Sequence, residues 1–278
     1  MTIHVHILIL NWNGKALTAD CLTSFKNQTY LNYSLYVIDN GSTDGSVDFL
    51  KKQFSHVQFI VLPENLGFAA GNNRGFDQIS ERLDPSDFIL FLNNDTIVEP
   101  DFLEELLIGV ENFGVHNIYS PKILYADHRN KIWYAGGHVD LNRADIRHIG
   151  IREPDGGIFL KNTKTGFVSG CSLLLRVGLF KKLNGFDESF GMYSEDVDLC
   201  LRAIDLGSEC YMIPKSKIYH KVSASVGGNW SLRKNLKKLQ SILRIIRLHK
   251  GYIRMLLSIV FLVYQIPRQY FNLKKMTK

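Results

Sequence analysis

At 278 residues, with 45% hydrophobic and 22% charged side chains, the chain can fill an ordinary globular core, which excludes a disordered or fibrous protein. The net charge of +6 hides an asymmetry: no acidic residue follows Glu209, while the last 69 residues carry 15 Lys and Arg. The first 209 residues hold 18 basic and 27 acidic residues, so an acidic body carries a basic tail, and basic tails seek phosphate. His4, His6 and Asn11 interrupt the N-terminal apolar stretch, which argues against a secretory leader. The four cysteines, Cys21, Cys171, Cys200 and Cys210, lack metal-type or paired spacing and read as free thiols in a reducing cytoplasm.

Ile3 to Leu10 predicts a strand ending at Asn11-Trp-Asn-Gly14, and Ala16 to Asn27 a helix with Leu17, Cys21, Leu22 and Phe25 on one face. Leu35 to Asp39 is the second strand, broken by Asn40-Gly-Ser-Thr-Asp-Gly45, and Ser46 to Phe54 a short helix. Val57 to Leu62, a helix over Gly71 to Glu81, and the apolar run Phe88 to Leu92 complete a strand–helix alternation. That alternation predicts a parallel sheet with right-handed crossovers. The polar punctuation follows the strands, at Asn11, Asp39-Asn40, Asn65 and Asn93-Asn94-Asp95. Ligands sit outside the carboxyl ends of strands in such sheets. The first strand is not followed by G-x-G-x-x-G, which argues against a dinucleotide-dependent dehydrogenase.

Two readings stand for each polar tip. Asn93 to Thr96 can turn the chain ahead of the next helix, or Asp95 and its flanking amides can hold a divalent cation through oxygen. Asp39 can belong to a turn, or its carboxylate can accept a hydrogen bond from a nucleobase imide. Further on, Phe102 to Val110 reads as a helix and Ser120 to Lys164 as loops and short strands, a place for an acceptor-binding insert. Phe167 to Arg176 reads as a strand with Gly170 and Cys171 in its middle, a glycine that signals close approach of another group. Glu195, Asp196 and Asp198 open a helix, with Asp187 and Glu188 just upstream. Helix capping accounts for one or two of these carboxylates, and a general base for an incoming hydroxyl would account for another. Cys210 to Ile213 reads as a final short strand, with His220 beyond it where it could meet Asp95.

The motifs Asn11-Trp-Asn-Gly14, Asp39-Asn-Gly-Ser-Thr-Asp-Gly-Ser46, Asn65 to Asn73, Leu92-Asn-Asn-Asp95, Gly185-Phe-Asp-Glu188 and Glu195 to Arg202 occur in that order. In this the chain resembles family-2 glycosyltransferases, particularly the rhamnosyltransferase-like branch of bacterial surface-polysaccharide synthesis, over residues 3 to 222. The resemblance implies a GT-A fold, a Rossmann-like, mostly parallel α/β sheet flanked by helices. It also implies inverting transfer of a sugar from a nucleotide-diphosphate donor (dTDP- or UDP-linked) to a hydroxyl of a glycan or lipid-linked acceptor. Carried over, Asp39 binds the uracil or thymine imide, with Asn11, Asn65, Asn73, Asn93 and Asn94 around the donor. Asp95 and His220 hold Mn²⁺ or Mg²⁺, and Glu195-Asp196 is the catalytic acidic pair, with Asp196 the base. Asn93 departs from the D-x-D pattern: an amide keeps an oxygen but removes a charge.

These expectations place residues 1–222 in one transferase domain and residues 223–278 in a basic helical extension. Ser231 to Lys250 carries Leu232, Leu236, Leu239, Leu243 and Ile246 at helical spacing among cations, and Met255 to Ile266 is apolar but only twelve residues long. A spanning helix needs about 20 such residues. The tail therefore suits an anionic membrane surface, which would make the protein cytoplasmic and peripheral on the inner face of the membrane. The alternative is packing on the domain or on a second copy. A two-carboxylate glycoside hydrolase would need neither a metal site nor a nucleobase carboxylate. A nucleic-acid-binding tail would interleave aromatic and basic residues, and Tyr252, Phe261 and Tyr264 instead sit in apolar sequence, so no nucleic-acid partner is expected.

Overall fold

In the computed structural model the described residues are 3–190, 193–222 and 232–276, with side chains left out at 232–235 and from 260 onward. The expected junction between body and tail at residues 223–231, and the apolar side chains beyond Ile259, lie outside them. The elements in chain order are β1 (Val5–Asn11), α1 (Lys15–Ser24), β2 (Tyr33–Asn40), α2 (Ser46–Gln53), β3 (Gln58–Leu62), α3 (Gly67–Ser80), β4 (Phe88–Asn93), β5 (Thr96–Val98) and α4 (Phe102–Phe113). Next come β6 (Ile118–Tyr125), β7 (Ile132–Tyr134), β8 (Gly137–Asp140), β9 (Asp145–His148), β10 (Thr163–Thr165), β11 (Ser172–Arg176), α5 (Val177–Lys182), α6 (Glu195–Asp205), β12 (Cys210–His220) and α7 (Leu232–Met276).

One large sheet runs β10-β12-β6-β11-β4-β1-β2-β3. Its first half is the parallel unit expected from the alternation: β3, β2, β1 and β4 pair in parallel. Their residues are branched and apolar because both faces are covered, and Val5, Ile7, Leu8, Ile9, Val37, Ile38, Leu90 and Phe91 are fully buried. Beyond β4 the sheet is mixed, with β11 antiparallel to both β4 and β6, and β6 parallel to β12.

Three expectations change here. Ser120 to Lys164 is not irregular throughout, since β6 is a central strand. Ser120, Pro121 and Lys122 break its apolar pattern, yet all are buried. Lys122 is wholly inside, its Nζ 2.5 Å from Asp155 and 3.2 Å from the Phe159 carbonyl, so its charge is paired and not wasted. The last strand runs eleven residues to His220 instead of stopping at Ile213; Pro214 marks an irregular register between Ile213 and Lys217 that the chain then resumes. Gly170 and Cys171 lie in the turn before β11, not inside a strand.

The tail helix α7 is interrupted at Gly251, whose φ of 82° is non-helical. Its first half lies on the body: Ile246 of the expected stripe and its neighbour Ile245 are fully buried in the main core, while Leu236 and Leu239 of that stripe are exposed. All four cysteines are free and buried.

Candidate active site

The parallel register carries the polar strand tips to one edge. Asn11 stands opposite Asp39 across β1 and β2, and Leu10 opposite Asn93 across β1 and β4. Asn11 is the hub. Its Nδ2 donates to Asp39 Oδ1 at 2.8 Å and to Ser42 Oγ at 3.2 Å. Its Oδ1 accepts from Thr18 Oγ1 at 2.8 Å, from Asn94 Nδ2 at 3.2 Å and from the Gly14 N–H at 3.2 Å. Asn11 is fully buried, so it holds the edge together from beneath. Gly14 is required by closeness: a Cβ there would stand 2.4 Å from Asn94 Nδ2. Asp39 is buried too, with Oδ2 accepting from the Ser42 N–H at 2.9 Å.

Asp95 follows β4 directly, and β5 then pairs antiparallel with the end of β12, Thr96 opposite His220. That pairing brings His220 Nε2 to 3.1 Å from Asp95 Oδ1, both side chains largely buried. The Lys221 N–H donates to the Asp95 carbonyl at 2.8 Å, fixing the loop. Trp133 packs edge-on to His220, ring centroids 4.4 Å apart, and His148 packs on Trp133 at 4.6 Å. Burial drives the His148 pKa down to about 4, with the charges of His220 and Lys238 adding to it, so His148 is neutral at pH 7.

The donor set fits a hard divalent cation in part. Two ligands at right angles, each about 2.1 Å from Mg²⁺ or Mn²⁺, are about 3.0 Å apart, matching the Asp95–His220 separation. His220 Nδ1 is buried without a hydrogen-bond partner among the described residues. Among the described residues no group of three or more His, Cys, Asp or Glu is placed to hold a metal. Asp95 and His220 could therefore supply only part of a coordination sphere, as suits an ion completed by substrate phosphates and water.

The acidic pair sits across the edge. Asp196 Oδ2 accepts from the Gly170 N–H at 2.8 Å and Oδ1 from the Val197 N–H at 2.8 Å. The Cys171 carbonyl, one residue on, accepts from the Asn93 N–H at 2.9 Å, so one turn joins the acidic pair to the tip of β4. Gly170 is small because a Cβ would meet Phe68 at 3.2 Å and Asp196 at 3.4 Å; the close neighbours are protein groups. Burial raises both carboxyls. Glu195 rises to about 8, through desolvation first and the charge of Asp196 second, while the two N–H bonds restrain the rise at Asp196. Glu195 Oε2 is buried without a partner among the described residues.

Other expected residues are placed apart. Asn65 is exposed and accepts from Asn40 Nδ2 at 3.0 Å and the Gly67 N–H at 2.9 Å, shaping the turn into α3. Asn73 exchanges bonds with the backbone of Phe186 at 2.9 and 3.0 Å and donates to Glu188 at 3.1 Å, so it clamps the Gly185–Glu188 loop. Asn93, half-buried, contributes its backbone to the edge. Asp198 turns away from the pair: Arg202 Nε lies at 2.7 Å and His249 Nε2 of α7 at 3.0 Å, which explains the third carboxylate as a structural latch. Thr18, Ser42 and Trp133 were not foreseen as parts of the site, whereas Gly170 is the close-approach glycine the sequence suggests, with Asp196 as the group that approaches. Only the hydroxyls, one turn past the Asn11 and Asp39 motifs, leave a local trace in the sequence.

The mixed sheet flanked by helices, with the Asn11–Asp39 network, the Asp95–His220 pair and a half-buried acidic pair at its edge, has the GT-A fold. The sequence model of glycosyl transferase family 2 matches residues 6–183, and the chain belongs to that family. It is 25% identical over 230 residues to an N-acetylglucosaminyl-diphospho-decaprenol L-rhamnosyltransferase of Mycobacterium tuberculosis, covering 74% of this chain and 72% of that protein. It is 27% identical over 169 residues to rhamnosyltransferase WbbL of Escherichia coli K12, covering 55% and 60%. The fold is similar to GalNAc-T7 solved with UDP, GalNAc and Mn²⁺, at a TM-score of 0.61 and 13% identity over 86% of this chain and 48% of that one. It is also similar to residues 1–349 of S. aureus TarS in complex with UDP, at a TM-score of 0.58 and 16% identity over 88% and 65%. The chain thus spans less than two thirds of these solved chains, and identities this low speak to fold alone.

Proposed function

We propose that the protein transfers a sugar, with rhamnose the leading choice, from a dTDP- or UDP-linked donor to a hydroxyl of a glycan or lipid-linked acceptor, with inversion. Membership of family 2 and likeness to rhamnosyltransferases make it a glycosyltransferase of polysaccharide synthesis; donor, acceptor and stereochemistry are our reading. The observation that carries it is the turn at Gly170-Cys171, which ties Asp196 to the strand tip bearing Asn93-Asn94-Asp95. Nucleobase carboxylate, phosphate loop and base then belong to one rigid edge.

Asp39, steadied by Asn11 and Ser42, accepts a hydrogen bond from the imide N–H of the base. Asp95 and His220 would hold a divalent cation, which when bound neutralises charge on the leaving diphosphate. Asp196 takes the acceptor proton as the oxygen bonds to the anomeric carbon and the bond to the diphosphate breaks on the opposite face. Base catalysis of this kind contributes about 10²–10⁴ in rate. Two N–H donors and the positive end of α6 favour the Asp196 anion, while Glu195 keeps its proton at pH 7. Burial raises both carboxyls, and we assign the base to Asp196, where the Gly170 and Val197 N–H groups oppose the rise. A thermal-shift panel of dTDP- and UDP-sugars with Mn²⁺ or Mg²⁺ tests the donor claim, since a bound ligand raises stability by mass action. A rise with dTDP-rhamnose above that with dTDP alone supports it; no nucleotide response with either metal overturns it.

The tail assignment is also a proposal. Among the described residues no helix is long and apolar enough to cross a membrane. α7 exposes Leu248, Tyr252, Ile253, Leu256 and Leu257 beside Arg247 and Lys250, and this pairing of apolar side chains with cations suits an anionic leaflet on the cytoplasmic side. Homodimerisation through the same face is the competing outcome. In the full chain, Ile253→Glu with Leu257→Glu is expected to abolish sedimentation with phosphatidylglycerol vesicles. Retained sedimentation, or a dimer that the pair of substitutions dissociates, overturns membrane docking.

A further inference from the structure

The first half of α7 is fastened to the segment that leads into the acidic pair. Ser241 Oγ donates to the Tyr193 carbonyl at 2.5 Å, and Lys238 Nζ lies 5.4 Å from the centre of the Tyr193 ring. Arg244 donates to Ser189 Oγ, and its guanidinium lies 5.1 Å over the Phe190 ring. Beneath these contacts Ile245 and Ile246 are fully buried, and His249 reaches Asp198 on the far side of α6. Residues 238–249 of the helix are therefore held in register, by apolar burial below and by polar contacts above.

That loop is under conformational load. Tyr193 and Ser194 have φ of +74° and +69°, two consecutive left-handed residues without a glycine. L-residues hold such angles only where surrounding structure dictates them. Ser194 is the N-cap of α6, yet its side chain makes no capping bond among the described residues, so local chemistry does not supply the restraint. The Tyr193 carbonyl instead ends on Ser241. Glu195 follows at once, and Asp196 one residue later.

We propose that α7 is a positioning strap for the acidic pair. Ser241 and Lys238 hold Tyr193, and with it Ser194, left-handed, while Arg244 holds Ser189 and Phe190 upstream, and this fixes where Glu195 and Asp196 point. These three are positioning residues, acting through the loop and not on substrate. The proposal rests on the reading of the pair as acceptor-side catalytic carboxylates. It gives the basic tail a role in turnover separate from any surface it binds: releasing the strap lets the two residues relax by more than a rotamer's width just ahead of the base.

The test uses full-length Ser241→Ala, Ser241→Thr and Arg244→Ala. It follows amide exchange of residues 187–196, calorimetric affinity for dTDP with Mn²⁺, and dTDP release from dTDP-rhamnose on an N-acetylglucosaminyl-diphospho-prenol acceptor. Small misplacements of catalytic groups cost up to about 10²-fold, so Ser241→Ala is expected to lower kcat by about tenfold or more. Donor KM and dTDP affinity should stay within about twofold, the pattern of an interaction needed only for the chemical step. Exchange over 187–196 should quicken by about tenfold, and Ser241→Thr, which keeps the hydroxyl, should behave as the parent. Unchanged kcat and exchange in both alanine variants overturns the strap. So does a parallel fall in melting temperature, dTDP affinity and kcat, which would mark α7 as general packing. Asp196→Asn separates the two claims: if it turns over normally, the reading of the pair fails, and the exchange measurement still decides whether α7 holds the loop.

Discussion

On the donor side, Asn11 spends two donors and three accepting contacts on Asp39, Ser42, Thr18, Gly14 and Asn94. On the acceptor side, Glu195 Oε2 is buried with no partner among the described residues, and the two residues before it are left-handed. The first region is a satisfied network on the tips of parallel strands; the second stores unfavourable terms and depends on distant elements to hold them. A nucleotide needs a fixed socket, so preorganised hydrogen bonds suit it. A base needs a pKa away from that of a solvated carboxylate, and burial without full satisfaction achieves that. In the proposed reading, the contrast matches each form of local structure to a task.

The sharpest way to break this comparison is Asp196→Asn. If the acceptor side carries chemistry and not binding, kcat falls by about 10²–10⁴ while calorimetric affinity for dTDP with Mn²⁺ is unchanged. Near-normal turnover would leave the acidic pair as helix-end decoration. Asp95→Ala tests the opposite side: affinity for dTDP should lose its Mn²⁺ dependence, a drop of about 10- to 100-fold in line with losing a metal-site group. Equal affinity with and without the substitution would assign Asp95 to its contact with His220 alone. Asn11→Ala probes the socket itself. It takes one hydrogen-bond partner from the buried Asp39 and one from the half-buried Asn94, so chemical denaturation should show a loss of about 1–3 kcal/mol, with weaker dTDP binding in the protein that remains folded. A change of a few tenths would mean that water replaces the hub.

The strand-tip network that we read as the donor side was legible in the sequence because it is local. Each residue closes an apolar strand, and parallel pairing of those strands needs no further information to bring Asn11, Asp39 and Asn93 to one edge. The acceptor side was only half legible. Glu195-Asp196 stood out by composition, but their partners come from afar: Gly170 lies 26 positions away from Asp196, and Ser241 lies 48 from Tyr193. Long-range contacts of this kind have no periodicity to betray them. Lys122 misled for a related reason, since its buried pairing with Asp155 turns a polar break into the middle of a strand. Asn73 matched a motif but serves the Gly185–Glu188 loop, a case where a matching residue type did not fix which group it touches.

The last prediction, read first in stability and not in turnover, concerns the cost of the unsatisfied carboxyl. Burial and the neighbouring Asp196 raise Glu195 to about 8 from an ordinary 4.5. The folded state therefore keeps a proton that the unfolded chain loses once the pH passes its own value. The stability this contributes is full below the unfolded pKa and drains away as pH rises through the folded one, by up to about 1.4 kcal/mol per pH unit. Glu195→Gln keeps the shape, cannot ionise and removes that loss. Thermal melts of the variant and the parent should diverge from about pH 5 to about pH 8, the variant gaining, and run parallel above. Because Glu195 is neutral at pH 7 in this account, the variant should keep much of its turnover there, in contrast to Asp196→Asn. Parallel stability curves across the whole range would mean that Glu195 is solvated and ionised, and the difference between the two sides of the site would shrink to the strained backbone of Tyr193 and Ser194.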